Sequence, residues 1–468
     1  ACPFRTTEWD EAFEAGAVKR LEGALGVAAG PAGHETGARL GRSTTRVPGA
    51  PARAPRPRFQ MTAFAAAVDT SSRGVEAAGT AAARALTELS DAKPVLAVVF
   101  ASVSYDDLDG IPAAVERELG GVPLVGGTAG GALFERGVVA TRGVLVALLG
   151  GDGVRATTTT AAISSPELFD VVPAGARLLS AADDAAREGF EESLCLVFAP
   201  AAHLDGDALV AAARKGTGAR MQLAGALAGD DFSFDRSLVF ADGGARRDRA
   251  VMAGVFTRLP VGVAARHGWR AAGPVRVVTS SEGPWLVRID GRRAIDAWVT
   301  DVRAAGARPP PGNAELVAFL ANSWALGLGM SSPAALSHAP VEPAARAPLV
   351  LRDDGAVLLS SPVVEGSRVH VMTASRAEMR RAAIVAAELA RQRAGGSLAG
   401  GLVFACSARL AALGDGFAEE QASIGQALGA RTAGACVFGE IGRAHREVHA
   451  FHNMTTTVVA WPANQPAR

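Results

Sequence analysis

A strand–helix unit that occurs three times constrains this chain more than any other feature. Each copy has an apolar strand containing a Phe, a polar helix cap, an Ala-rich helix and a Gly-rich turn. The copies run from Val95 to Gly131, from Leu194 to Asp231 and from Gly401 to Gly442. A period near 100 residues is too long for a solenoid repeat. It predicts duplicated subdomains that share one core, with any ligand site where equivalent loops converge.

The spacing within the copies indicates how closely they are related. Phe100 and Phe198 each precede a glycine by 27 residues, namely Gly127 and Gly225. The third copy is looser, because 30 residues separate Phe404 from its glycine, Gly434. The first two copies therefore read as a duplication, and the third as related to them.

Composition and charge exclude several classes of function. The 468 residues are 49% hydrophobic, which fits a soluble globular protein of two or three domains. Basic and acidic residues number 47 each, so no global field favours nucleic acid or an anionic membrane surface. No apolar run approaches the ~18 residues that span a bilayer, and the N-terminus lacks a signal-peptide pattern. The four cysteines form no CxxC pair, which favours reduced thiols and a cytoplasmic location.

The organisation along the chain predicts a linker followed by two domains. Residues 1–60 include the Pro- and Arg-rich segment Val47 to Arg58, which favours an extended linker, and Met61 precedes the ordered pattern. A Pro-rich stretch at Ala307 to Gly312 marks a boundary region. We expect one domain over residues 61–290 and another over residues 291–462.

Hydrophobic periodicity predicts a mixed α/β fold of duplicated strand–helix–strand subdomains, with mixed sheets packed in layers. Helices are expected over Arg73 to Leu89, Arg292 to Ala305 and Arg376 to Arg393. Asp242-Gly243-Gly244 and Asp353-Asp354-Gly355 are each expected to separate two strands.

Acidic caps and glycine turns recur in the copies. The acids at the helix starts are expected to act as caps alone; they are Asp106, Asp107, Asp205, Asp207 and Asp415. The turns beginning Gly126-Gly127-Thr128 and Gly225 lack side-chain bulk, so backbone could approach either a small ligand or another backbone. Both readings stay open.

Polar groups gather in the third copy and predict a ligand site. Arg409 and Glu440, with the amide of Asn453, could bind the carboxylate and the ammonium of a zwitterion. An internal Arg409–Glu440 ion pair is the structural alternative. The predicted ligand-binding set also includes two glycines, a thiol, an imidazole and the first-copy turn: Gly434, Gly439, Cys406, His452, Gly126, Gly127 and Thr128.

Catalysis and metal binding are the weaker interpretations. Cys406 could be a nucleophile with His452 as base, but no third group that orients the base and no GxSxG or HExxH motif is found. The β-branched run after His449 argues for an extended segment from His449 to Trp461 with His449 and His452 on opposite faces, which disfavours a zinc site with His445. We expect no cofactor and no metal, and leave enzymatic activity open.

With these residues in view, the chain resembles the FIST family. In the N-terminal half the resemblance rests on VVFAS, LVGGTAGG, LAGALAGDD and the segment His267 to Trp298; in the C-terminal half it rests on LVFACSAR, AGACVFGEIG and FHNMTTTVV. It implies a FIST N-terminal domain over residues 61–290 and a FIST C-terminal domain over residues 291–462.

The family resemblance implies ligand sensing in signal transduction, with amino acids and similar small molecules as proposed ligands. The first-copy turn has Ala132 after its glycines, where the family tends to have an acid. No output domain is recognised, so the resemblance implies a signalling partner protein. A cysteine-dependent enzyme acting on an acyl-type substrate and an interaction scaffold without ligand are the alternatives.

Overall fold

The computed structural model describes residues 61–163, 167–201, 204–233, 235–329, 343–444 and 449–463. The expected linker, residues 1–60, lies outside this part of the chain. Within the described residues, no helix is both long and apolar enough to cross a membrane.

Unit 1, residues 63–150, shows the pattern that the other two units repeat. Its helices and strands are β1 (Ala63–Asp69), α1 (Gly74–Leu89), β2 (Pro94–Ser102), α2 (Ile111–Leu119), β3 (Leu124–Ala129), β4 (Leu133–Glu135), β5 (Val138–Ala140) and β6 (Val144–Gly150). The last strand, β6, lies between β1 and β2 and is antiparallel to both, while β3 is parallel to β2. The short strands β4 and β5 form a hairpin.

Unit 2, residues 154–257, has the same order. It comprises β7 (Val154–Ala162), α3 (Val171–Arg187), β8 (Glu192–Pro200), α4 (Gly206–Thr217), β9 (Gln222–Ala228), β10 (Val239–Ala241), β11 (Gly244–Arg246) and β12 (Arg249–Thr257). The turn at Asp242 and Gly243 joins β10 to β11, as the sequence predicts.

Unit 3 begins with β13 (Gly262–Arg266), after which the chain forms a separate nearly closed antiparallel barrel, residues 270–373. The barrel contains β14 (Arg270–Ala271), β15 (Arg276–Glu282), β16 (Trp285–Ile289), β17 (Arg292–Arg293), α5 (Ala294–Ala304), α6 (Asn313–Ser323), β18 (Leu326–Gly329), β19 (Ala344–Arg346), β20 (Pro348–Leu351), β21 (Val357–Leu359) and β22 (Arg368–Thr373). Trp298 of α5 anchors its core, and the Trp298 indole N–H donates to the Trp324 carbonyl at 3.0 Å.

The chain then returns to complete unit 3 with residues 376–462. The elements are α7 (Arg376–Ala394), β23 (Leu398–Cys406), α8 (Ser407–Leu413), α9 (Gly416–Leu428), β24 (Thr432–Val437), β25 (Gly439–Arg443), β26 (His449–His452) and β27 (Thr456–Pro462). A reciprocal capping box of Ser375 and Glu378 starts α7. Its buried alanines, Ala383 to Ala390, pack against Val403 and Val458 of the sheet.

The three units exchange their hairpins in a cycle. The β4–β5 hairpin of unit 1 pairs with β24 of unit 3, the β10–β11 hairpin of unit 2 pairs with β3 of unit 1, and the β25–β26 hairpin of unit 3 pairs with β9 of unit 2. Three six-stranded mixed sheets result. The mixed α/β fold of duplicated strand–helix–strand subdomains is therefore confirmed, and each unit is tied to both others by backbone hydrogen bonds.

The repeated phenylalanines meet where the three sheets face one another. Phe100, Phe198 and Phe404 contact one another edge to face, with ring centroids 5.7 Å (Phe100–Phe198), 6.2 Å (Phe100–Phe404) and 5.6 Å (Phe198–Phe404) apart. All three are buried in one apolar cluster that draws on every unit. The centre of the molecule is therefore a packed aromatic core.

Candidate functional site

The equivalent glycines of the three copies are Gly126, Gly225 and Gly434. The sequence predicts Gly-rich turns here, but the structure places each glycine within a strand, in β3, β9 and β24, so the prediction of turns is wrong. In each, a methyl group added at Cα would lie within 2 Å of a carbonyl oxygen of the neighbouring parallel strand, at 1.9 Å from Val99, 1.9 Å from Val197 and 1.8 Å from Val403. Gly126 is thus the counterpart of Gly225, one residue before the Gly127 that the 27-residue spacing suggests. At these positions the missing side chain serves the close approach of two strands.

The remaining glycines and Thr128 also have contacts within the protein. A methyl group at Gly127 would lie 2.3 Å from the carbonyl oxygen of Leu238, and one at Gly439 would lie 2.2 Å from the Phe451 ring. The buried Thr128 hydroxyl donates to the Gly229 carbonyl at 2.6 Å and accepts from the Leu238 amide at 2.9 Å. Thr128 therefore joins unit 1 to unit 2.

Arg409 lies on α8 and is buried with all of its donors in use. Its guanidinium pairs with Glu420 of α9, from Nη2 to Oε2 at 2.5 Å and from Nε to Oε1 at 3.2 Å. The remaining N–H groups donate to the carbonyls of His267 (3.0 Å), Met454 (3.3 Å) and Met379 (2.8 Å). A guanidinium has five N–H donors, and all five have acceptors here. The ion pair of Arg409 is thus with Glu420, a residue that sequence reasoning missed.

Glu440 is fully buried on β25, where it pairs with Ala226 of unit 2 on one side and with His452 of β26 on the other. Its Oε2 accepts from the Thr455 amide at 3.2 Å, and the Cys406 thiol contacts the carboxyl. Its Oε1 has no hydrogen-bond partner among the described residues. Burial raises the pKa of Glu440 well above its usual value, so the carboxyl favours its neutral form.

His452 and Asn453 follow on the same hairpin. A ring nitrogen of His452, Nε2, contacts the Gly442 carbonyl at 3.3 Å. The Asn453 side chain is 1% exposed, and neither its Oδ1 nor its Nδ2 has a partner within the described part of the chain. Unpaired buried amide atoms are rare in folded proteins and point to a missing partner.

The turn after β26 has a strained backbone. The sequence predicts one extended run from His449 to Trp461, but the structure has two strands separated by Asn453 to Thr455. Met454, at the centre, has φ 59°, a left-handed conformation that costs a non-glycine residue about 1 kcal/mol or more. Because Arg409 donates to the Met454 carbonyl, the guanidinium holds this turn, and with it Asn453, in place.

Comparison of the three units singles out the interface between unit 2 and unit 3. In each unit, the residue that follows the equivalent glycine pairs with a residue of the hairpin from another unit. Gly127 pairs with Val239, Ala435 pairs with Leu133, and Ala226 pairs with Glu440. Leu133 and Val239 belong to the central apolar cluster. A carboxyl therefore replaces a hydrocarbon side chain at one of three equivalent positions.

A second polar replacement lies on the strand beside it. Thr457 pairs with Phe404, where Leu145 pairs with Phe100 and Val251 pairs with Phe198. Sequence reasoning treated Thr457 only as part of a strand. Aligning the last strand of each unit would have shown the hydroxyl among aliphatic residues.

Within the described part of this interface, the environment of Cys406 disfavours a reactive thiol, and no metal cluster is found. Burial raises the pKa of the Cys406 thiol far above its usual value, and the neighbouring Glu440 raises it further. This disfavours the thiolate that a nucleophile needs. Among the described residues, no group of three His, Cys, Asp or Glu side chains could hold a metal ion. The side chain of His449 and residue His445 lie outside the described part.

Comparisons with known proteins give one family and weak likenesses to solved structures. The FIST N domain matches residues 95–292, and the FIST C domain matches residues 314–443. No curated protein matches the chain. Among solved structures, the chain is similar to the crystal structure of cyanuric acid hydrolase from A. caulinodans, at 11% identity and a TM-score of 0.28, over 86% of this chain and 99% of that one.

The family matches agree with the motifs at the site. Gly439, Glu440 and the Cys406 strand end lie within the FIST C match, and the equivalent glycines of units 1 and 2 lie within the FIST N match. The two matches together cover more than half of the chain. The chain therefore belongs to the FIST family, a family of sensory and signalling domains, and carries both its N and its C domain.

Proposed function

We propose that this protein senses a small polar metabolite, an amino acid or a similar molecule, and passes its bound state to a partner protein. The binding site is the interface between unit 2 and unit 3, at Glu440, Asn453, Cys406 and His452. The observation that carries the proposal is that Glu440 replaces the Leu133 and Val239 of equivalent positions while its Oε1 lacks a partner among the described residues.

A ligand with an amine fits this arrangement. The unpartnered Oε1 of Glu440 would accept from an ammonium, and ionisation of the carboxyl in the complex would replace the neutral form that burial favours. The unpaired Asn453 amide would supply a donor and an acceptor to the rest of the ligand. Arg409 enters as the residue that holds the Asn453–Thr455 turn, because its five N–H groups already have acceptors.

The test is the melting temperature of the protein against the twenty common amino acids, small carboxylates and small primary amines, because a ligand of the folded state raises it by mass action. We expect a dose-dependent rise with at least one amine-bearing compound, lost in Glu440→Gln and in Asn453→Ala. The matched control is Glu419→Gln, an exposed carboxylate of the same unit. A panel without any shift would overturn the proposal.

An interaction scaffold is the second candidate. The packed phenylalanines Phe100, Phe198 and Phe404 leave an apolar centre between the units, as a scaffold without ligand would have. The absence of any shift across the panel, together with retained partner binding in Glu440→Gln, would favour this function.

A further inference from the structure

We propose that Thr457 contacts the ligand and determines specificity at the unit 2–unit 3 interface, selecting a small molecule that carries an amine and a second hydrogen-bonding group close to it. The inference rests on the proposed function. Thr457 is 0% exposed, and its Oγ1 has no hydrogen-bond partner among the described residues. Leaving a buried hydroxyl without a hydrogen-bond partner is unfavourable, so a ligand that pairs with it gains affinity.

The Thr457 side chain lies beside the strand that carries Glu440. A methyl group added at Gly442 would lie 2.7 Å from both the Oγ1 and the Cγ2 of Thr457, so the hydroxyl is within contact distance of the β25 backbone. Gly442 and Glu440 are two residues apart on β25, and residues at this spacing share one face of a strand. The amide of Thr455, two residues before Thr457, donates to Glu440. The Glu440 and Thr457 side chains, each with an unpartnered oxygen, therefore lie on the same side of β25, between β25 and β27.

The equivalent positions show that the fold does not need a hydroxyl there. Leu145 and Val251, which occupy the corresponding place in units 1 and 2, are buried in the central apolar cluster. Val459, two residues after Thr457, belongs to that cluster as well. The hydroxyl of Thr457 thus has no counterpart in the other two units. It occurs at the same interface as Glu440, the only carboxyl among the three equivalent pairing positions.

The spacing limits the size of the ligand. The Thr457 side chain lies beside Gly442, and Gly442 is two residues from Glu440 on β25, about 7 Å along the strand. A molecule that hydrogen-bonds both Glu440 and Thr457 therefore needs its amine and its second polar group within a few bonds of each other. An amino acid, whose carboxylate lies close to its amine, has this geometry, and so does an amino alcohol. A simple alkylamine lacks the second polar group.

Thr457→Val tests the assignment, with Thr456→Val as the matched control. Valine keeps the shape of the side chain and occupies the equivalent position in unit 2 as Val251. Thr456 is also fully buried with an unpaired hydroxyl, but it pairs with Ala405 and shares the opposite, helix-facing side of β27 with Val458. Calorimetric titration uses the panel amino acid that most raises the melting temperature of the wild type, with ethylamine as the probe that lacks a second polar group.

We expect Thr457→Val to weaken binding of that amino acid at least tenfold and to leave ethylamine binding unchanged, while Thr456→Val binds both within twofold of the wild type. Equal loss in the two valine variants would overturn the role of Thr457. So would wild-type affinity in Thr457→Val alongside lost binding in Glu440→Gln, although the proposed function would then stand. If no compound of the panel binds the wild type, the proposed function and this inference both fail.

Discussion

Arg409 and Glu420 form a two-pronged ion pair in which the side chains are 1% and 0% exposed. Through Arg409 the pair also fixes three carbonyls, those of His267 after β13, Met379 on α7 and Met454 in the turn beside the candidate site. Four segments of unit 3 therefore meet at one guanidinium. A buried charge of this kind tolerates loss of its partner badly.

Glu420→Gln is expected to lower the free energy of unfolding by about 3–5 kcal/mol, because it leaves the Arg409 charge buried without its counter-ion. Urea unfolding measures the change. Asp184→Ala breaks a salt bridge in which both side chains are more than half exposed, and it should change stability by less than about 1 kcal/mol. Similar small losses in both variants would contradict a structural role of the pair.

Gly225→Ala is expected to destabilise the protein by about 3 kcal/mol or more, because the new methyl group would lie 1.9 Å from the Val197 carbonyl oxygen. Gly291→Ala is the control. Gly291 also has a positive φ, 75°, but its methyl group would meet nothing within 4 Å, so only a backbone penalty of about 1 kcal/mol applies. Thermal and urea unfolding measure the loss of stability in the two variants. Gly225→Ala reports the steric clash, and Gly291→Ala reports the backbone penalty alone. Equal losses would mean that the strand contact is unimportant.

The sequence predicted the local features of the fold well. The predicted helix Arg376 to Arg393 is α7 (Arg376–Ala394), and Asp353 to Gly355 separates β20 from β21. These features depend on neighbours in the chain, through capping, periodicity and turn residues. Of the predicted site residues, the structure brings Cys406 into contact with Glu440 and pairs Glu440 with His452.

The long-range features could not be predicted. No local signal shows that β13 and α7 belong to one unit although the barrel separates them, or that each hairpin pairs with a different unit. Glu420 lies on a helix with Glu419 beside it, and the amphipathic pattern alone does not tell which carboxylate faces Arg409. Register also depends on partners: the adjacent Gly126 and Gly127 look alike in sequence, and only strand pairing distinguishes them.

The barrel is joined to unit 2 by a buried charge. Arg346 of β19 is 3% exposed, and its Nη2 lies 2.7 Å from Asp207 Oδ2 on α4, where Ser361 also donates at 2.9 Å. The N-cap of α4 is Asp205, whose side chain accepts from the Asp207 and Ala208 amides. Asp207, expected to act as a cap alone, therefore also forms a contact between the barrel and unit 2.

Asp207→Asn is expected to lower the free energy of unfolding by about 1–2 kcal/mol. The substitution removes the ion-pair partner of the buried Arg346, but the Asp207 side chain is 47% exposed, so solvent screens part of the attraction. Arg346→Met removes the charge itself and should be less damaging. In Asp207→Asn, the amide hydrogen-exchange rates of β19 should increase relative to the wild type, whereas those of the strands of unit 2 should stay close to it. Uniform protection in the variant would show that the ion pair does not hold the barrel.

The pH dependence of stability should report the buried carboxyl of Glu440. Because burial raises the pKa of Glu440 above the value of 4.5 expected for the unfolded chain, the folded state holds a proton that the unfolded state has lost. Its contribution is complete below about pH 4.5 and is lost as the pH rises through the folded-state pKa. Glu440→Gln, which cannot ionise, should therefore be more stable relative to the wild type at about pH 8 than at about pH 4.5.

Glu378→Gln supplies a control of opposite sign. The Ser375 amide and hydroxyl lower the pKa of Glu378, so its contribution is present above its unfolded pKa and is lost as the pH falls. That variant should lose stability relative to the wild type at neutral pH and approach it in acid. Urea unfolding of the three proteins across this pH range separates the two carboxyls. A Glu440→Gln difference that does not change with pH would show that Glu440 is ionised in the folded protein, and the ammonium of a ligand would then meet a carboxylate that is already charged.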